Sequence, residues 1–153
     1  MSQLRKFTEL SMKKVTEWKQ GKWKQMELTK TDHIALIVSN YQVAREFYVD
    51  KLGFKILNQH DRPERGDIIL NVGQGDLVLE LFVKPTAPKR PQLPQPENQG
   101  LRHLAFKVSD VAACLAEFDR LKIKHEPLRY DDYNGKKMAF FFDPDGQPLE
   151  IHE

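Results

Sequence analysis

The alternation of hydrophobic and polar positions follows a pattern that occurs twice along the chain. HIALIVSN at 33–40 returns as HLAFKVSD at 103–110, an offset of 70 residues, and both runs predict a short strand. Downstream, NYQVAREFYVDKLGFKI and DVAACLAEFDRLKIKH carry apolar residues near helical spacing: Val43, Phe47 and Leu52, four and five apart, in the first, and Val111, Leu115, Phe118 and Leu121, three and four apart, in the second. That period predicts an amphipathic helix, with Asn40 and Asp110 standing at the two N-cap positions. Each helix is expected to run into a short strand. Two more apolar runs follow in each copy, GDIILNVG (66–73) with DLVLELFV (76–83), then KKMAFFFD (136–143) with QPLEIHE (147–153). A glycine-containing turn joins each pair, so each half reads strand, helix, three strands.

Between the halves, residues 84–100 hold five of the nine prolines, which forbids a helix and favours an extended connector. The expected organisation is module one at 29–83, the connector at 84–100 and module two at 101–153, together a single domain at 27–153. A βαβββ unit of about 55 residues has too little core to stand alone, so the two must pair, within the chain or across a dimer.

Charge separates residues 1–26 from the rest as a basic extension. Residues 1–25 carry seven Lys/Arg against Glu9 and Glu17, a balance of +5, and the remainder is −3, giving the net +2. A basic tail on a mildly acidic body argues against a nucleic-acid partner for the fold. Leu4, Phe7, Ser11, Val15 and Trp18 fall at helical spacing in this tail, but a solvated extension is the simpler expectation. The tail lacks the apolar core of an export signal, and no apolar run approaches the length of a membrane span. One cysteine, Cys114, excludes an intramolecular disulfide and fits a cytoplasmic location.

Four chemistry-bearing residues recur with the repeat. His33 and His103 stand near the start of each module's first strand, Glu80 and Glu150 on each module's last, and both His-to-Glu separations are 47 residues. Strand alternation turns Glu80 away from Leu79 and Leu81, and Glu150 away from Leu149 and Ile151. Two imidazoles and two carboxylates make a ligand set suited to one divalent metal ion, whether Ni, Zn, Co, Fe or Mn.

DHIALIV at 32–38, REFYVDKLGF at 45–54, LVLELF at 77–82, LRHLAFKV at 101–108 and DPDGQPLEI at 143–151 stand in this order. In them the chain resembles the vicinal oxygen chelate superfamily, the glyoxalase, bleomycin-resistance and extradiol-dioxygenase group, over about residues 29–153. The resemblance implies an α+β fold in which two paired βαβββ modules form a cup-shaped, eight-stranded mixed sheet. It also implies a metal ion held by His33, Glu80, His103 and Glu150. All four positions are filled, as in glyoxalase I, which favours the lyase branch, and within it the Pro-rich connector followed by GLRHLAF looks like small bacterial glyoxalase I-like proteins. A lyase or isomerase is then expected, acting on a hemithioacetal or related α-hydroxycarbonyl through an ene-diolate, with a small-molecule substrate that includes a thiol adduct. By the same resemblance Glu150 would be the catalytic base, with Glu80 assisting on the other face, and the protein a homodimer. The alternatives are an iron(II) extradiol-type dioxygenase, a thiol transferase, or a non-enzymatic resistance protein that binds a small aromatic molecule near Phe140, Phe141 and Phe142.

The remaining candidates carry weaker expectations. His152, two residues beyond Glu150, shares its face and is the alternative ligand, disfavoured because the first module has Phe82 at the matching place. His60 and His125 are expected to be exposed, Arg45, Glu46 and Lys51 to decorate the solvent face of the first helix, and Cys114 to pack in the core. The Asn-Gly turn in YDDYNGKKM (130–138) is expected as a solvated tip, with a lid over an anionic substrate as the alternative. Arg90 and Arg102 are further cations able to meet a carboxylate, although Arg102 is expected to point away from His103.

Overall fold

A computed structural model describes residues 27–91 and 99–153. The tail helix considered above and part of the connector lie outside the described residues. The chain divides into two compact units, Met1–Thr31 and Asp32–Glu153. Of the first, residues 27–31 are described and contain no helix or strand.

In the second unit both modules follow the expected order. β1 (Ile34–Val38), α1 (Tyr41–Arg45), β2 (Lys55–Arg62), β3 (Asp67–Gln74) and β4 (Leu77–Val83) make the first. β5 (Leu104–Lys107), α2 (Val111–Arg120), β6 (Arg129–Tyr130), β7 (Lys137–Phe142) and β8 (Pro148–His152) make the second. The eight strands divide into two four-stranded mixed sheets, ordered β1-β4-β3-β2 and β5-β8-β7-β6. In each, the first and last strands of the module run parallel and the other neighbours antiparallel. Among the described residues no helix is long and apolar enough to cross a membrane.

The helix caps are where the sequence places them. The Asn40 side chain accepts from the Val43 N–H at 3.0 Å and that of Asp110 from the Ala113 N–H at 3.0 Å. The first helix departs from the simple period. After Arg45 it widens into a π-helix over Glu46–Lys51, and Val43 is exposed while Ala44, Phe47 and Tyr48 are buried. The extra residue per turn sets Phe47 and the next residue, Tyr48, into the core together, their rings edge to face at 5.0 Å. Gly53 ends it with φ +77°, and Lys122 takes φ +55° at the matching position after α2, so that buried Phe54 and Ile123 turn back onto the core.

One core draws on both modules. Leu70, Val72, Leu79 and Leu81 from the first sheet and Ala139, Phe141, Leu149 and Ile151 from the second belong to the same buried cluster as Phe47, Tyr48 and Phe118 of the helices. Phe54 meets Phe106 across the modules at 6.3 Å between ring centroids. The remaining face of each sheet therefore looks away from this core, and Glu80 and Glu150 lie on those outer faces.

Two polar bonds fasten the modules as well. The Ser39 N–H donates to Asp145 at 2.8 Å, and the buried Tyr48 hydroxyl donates to Asp143 at 2.9 Å. Asp143 also accepts the N–H groups of Asp145 and Gln147, which shapes the turn before β8. Tyr48→Phe removes one partner from a buried carboxylate and should cost about 1–3 kcal/mol, read as a lower urea midpoint at unchanged m-value.

Candidate metal centre

β1 and β4 are in parallel register with Ala35 opposite Glu80, and β5 and β8 repeat it with Ala105 opposite Glu150. Each histidine stands one residue ahead of its first strand, so the same register brings it over its own module's glutamate. His33 Nε2 lies 3.5 Å from Glu80 Oε2, and His103 Nε2 lies 2.8 Å from Glu150 Oε2. The four expected ligands thus form two equivalent half-sites. Among the described residues, however, no three His, Cys, Asp or Glu side chains form a group that could hold a metal ion.

The half-sites differ in their surroundings. The first is open, with the His33 side chain 46% exposed, and its Glu80 has Asn71 as antiparallel neighbour. In the second, Phe140 takes the place of Asn71, its ring meeting His103 edge to face at 5.0 Å, and the Glu150 side chain is only 8% exposed.

Hydrogen bonds at the far ring nitrogens separate them further. His33 Nδ1 meets the Asp32 carboxylate at 2.8 Å, which is the main reason its pKa is raised above the ordinary value. Asp32 accepts the Nδ1 proton and thereby leaves the Nε2 lone pair directed to the glutamate side, as metal-binding histidines require. At His103 the neighbour of Nδ1 is instead Arg102 Nη1, at 3.3 Å. A guanidinium only donates, so Nδ1 accepts and Nε2 carries the proton to Glu150.

Arg102 therefore does not point away from His103, and its guanidinium also lies over the Phe140 ring at 5.9 Å. Asp32 was not singled out from sequence, although its place next to His33 was the available signal. Asn71 was hidden because its place beside Glu80 depends on cross-strand register, and Phe140, expected only as an aromatic binding surface, is set beside Glu150 by the same register.

The other candidates fall elsewhere. His152 shares the face of Glu150 but is turned to Asp131 at 3.6 Å and to the Glu153 carbonyl at 2.7 Å. His60 is exposed in β2. His125 is not exposed as expected: it is half-buried, bonding the Glu126 carbonyl at 2.9 Å and Asp119 at 3.0 Å, and these bonds, the first foremost, raise its pKa. Arg45 pairs with Asp50 and Lys51 with Glu46, each at 3.1 Å, on the solvent side of the helix. Cys114 is half-buried against the core, and burial raises its thiol pKa. Arg90 donates to the carbonyls of Leu101 and Arg102. At the turn after β6, Asp131 accepts the N–H groups of Tyr133 and Asn134 at 2.8 and 2.9 Å, while the Tyr133 side chain is exposed.

Residues 30–151 match the model of the Glyoxalase/Bleomycin resistance protein/Dioxygenase superfamily. The chain is 44% identical over 130 residues to the Uncharacterized protein YaeR of Escherichia coli (strain K12), covering 82% of this chain and 97% of that one. Among solved structures, it is similar to the glyoxalase family protein from Enterococcus faecalis, with a TM-score of 0.79, 49% identity, and coverage of 84% of this chain and all of that one. The trypanothione-dependent glyoxalase I of Leishmania major is more distant, at a TM-score of 0.63, 27% identity, and coverage of 81% and 86% respectively.

Proposed function

Because the chain belongs to the Glyoxalase/Bleomycin resistance protein/Dioxygenase superfamily, we propose that it is a metal-dependent, glyoxalase I-like lyase or isomerase. Its substrate would be a hemithioacetal or related α-hydroxycarbonyl. The observation that carries this reading is the duplicated half-site, a histidine Nε2 facing a carboxylate oxygen at the same register in both sheets. Neutral imidazole nitrogen and carboxylate oxygen are donors suited to a divalent transition metal, so the residues present fit one.

The two halves stand on separate sheets, and among the described residues of one chain they form no complete group. The reading is therefore a homodimer in which His33 and Glu80 of one chain face His103 and Glu150 of another. Ile37, on the outer face of the edge strand β1, is 60% exposed, and a second chain would cover it.

A divalent ion held by these four side chains would polarise adjacent substrate oxygens and acidify the neighbouring C–H. Glu150, enclosed by Phe140 and His103, takes that proton from one carbon and returns it to the next. Glu80 holds the opposite side, and Asp32 keeps the His33 ring oriented through Nδ1.

Elemental analysis of the purified protein tests the metal assignment directly. About one divalent ion per chain is expected, with His33→Ala lowering metal affinity more than about 100-fold. Wild-type metal content in His33→Ala after dialysis against a chelator would defeat the ligand assignment. Protein purified without stoichiometric metal, and unable to take it up, would favour a small-molecule binder.

A further inference from the structure

On the outer face of the first sheet the registers arrange side chains in rows across the strands. Ala35, Glu80, Asn71 and Asn58 form one row, and Ile37, Phe82, Ile69 and His60 the next. One step farther, Lys84, Asp67 and Arg62 form a third. Arg62 donates through Nε and Nη2 to the two Asp67 oxygens, each at 2.7 Å, and Lys84 Nζ donates to Asp67 Oδ2, also at 2.7 Å. The Asp67 side chain is 2% exposed, and its pKa is lowered, first by the Arg62 bond and then by Lys84.

Two cations share this one carboxylate, which leaves the row with one positive charge in excess. Both stand over the ring of Phe82, the Arg62 guanidinium at 5.3 Å and Lys84 Nζ at 5.9 Å from its centroid. Arg62 and Asp67 engage each other fully, but the Lys84 side chain is 40% exposed and its ammonium has three N–H donors. Along β4, Lys84 lies four residues beyond Glu80 on the same face, about 13 Å by strand rise. A cavity of about 880 Å³ is lined by Lys84 together with Ala35, Ile37, Lys124, Asp143 and Asp145, while Arg62, Phe82 and Glu80 lie outside its lining.

We propose that the Lys84–Arg62 row is an oxyanion subsite. It anchors a carboxylate or phosphate on the substrate whose reacting end lies at Glu80. Its place in catalysis rests on the metal-site reading above, but its capacity to bind an anion does not. Asp67 presets the two cations over Phe82, and Lys84 supplies the donors that the incoming anion meets.

The test is a titration of the chelator-treated, metal-free protein with acetate and, separately, inorganic phosphate, followed by backbone amide NMR shifts. Saturable shifts at Arg62, Phe82 and Lys84 are expected, and the tighter of the two anions identifies the substrate's charged group. Lys84→Met should weaken that binding about tenfold, the loss of one charge-assisted hydrogen bond. Asp67→Asn, which removes the competing carboxylate, should strengthen it. Should Asp67→Asn fail to fold, the exposed Lys84 position still decides the matter. Affinity unchanged in Lys84→Met, or shifts confined to other residues, would overturn the subsite. Failure of the metal reading appears separately, in the elemental analysis.

Discussion

Glu150→Gln is expected to remove catalysis while leaving the fold in place. Glutamine keeps the volume of the nearly enclosed side chain and an oxygen that still accepts from His103, so packing against Phe140 persists. It loses the anionic donor to the metal and the only basic site on that side chain. Loss of a positioned general base alone lowers the rate by about 10²–10⁴-fold, and weakened metal binding adds to this. The measurement is turnover of a 2-oxoaldehyde presented with a panel of thiols, beside metal content and far-ultraviolet dichroism. A variant with native dichroism, wild-type metal and wild-type turnover would remove Glu150 from the mechanism.

Phe141→Ala should have the largest effect on stability. The side chain is 2% exposed and meets Phe118 at 4.7 Å and Phe106 at 6.2 Å, at the centre of a cluster to which both modules contribute. Truncating a buried phenylalanine costs about 3–5 kcal/mol, a large part of the stability of a domain this size. Because the core is common to both modules, urea should unfold the variant in one transition at a lower midpoint. Two separate transitions would mean that the modules hold together independently of this cluster.

Much of this fold was legible because the repeat reports local pattern twice. The 70-residue offset gave the order of elements, and the two caps and two Glu-bearing strands lie where alternation and capping chemistry require. The π-helix at Glu46–Lys51 was not legible, since a 3.6-residue period assigns Val43 to the core and only packing reveals that Phe47 and Tyr48 enter side by side. Nor does periodicity separate β2, eight residues long, from its two-residue counterpart β6.

Within the candidate centre, His33, Glu80, His103 and Glu150 were visible as a spacing. How the two pairs relate was not, because modules sharing a cup and modules joined through a common core both bury Leu79, Leu81, Leu149 and Ile151. The Arg62–Asp67–Lys84 row was also missed. Its parts are 5 and 17 residues apart and meet only through cross-strand register.

A site completed by a second chain can be rebuilt by refolding a mixture of two inactive variants. His33→Ala and His103→Ala chains are each unfolded, combined in equal amounts and refolded with metal. In a random mixture half the dimers are mixed, and one of their two sites contains neither substitution. About a quarter of wild-type metal sites and turnover is expected to return. Recovery of neither, with both variants folded and dimeric, would place all four residues' work within one chain and contradict it.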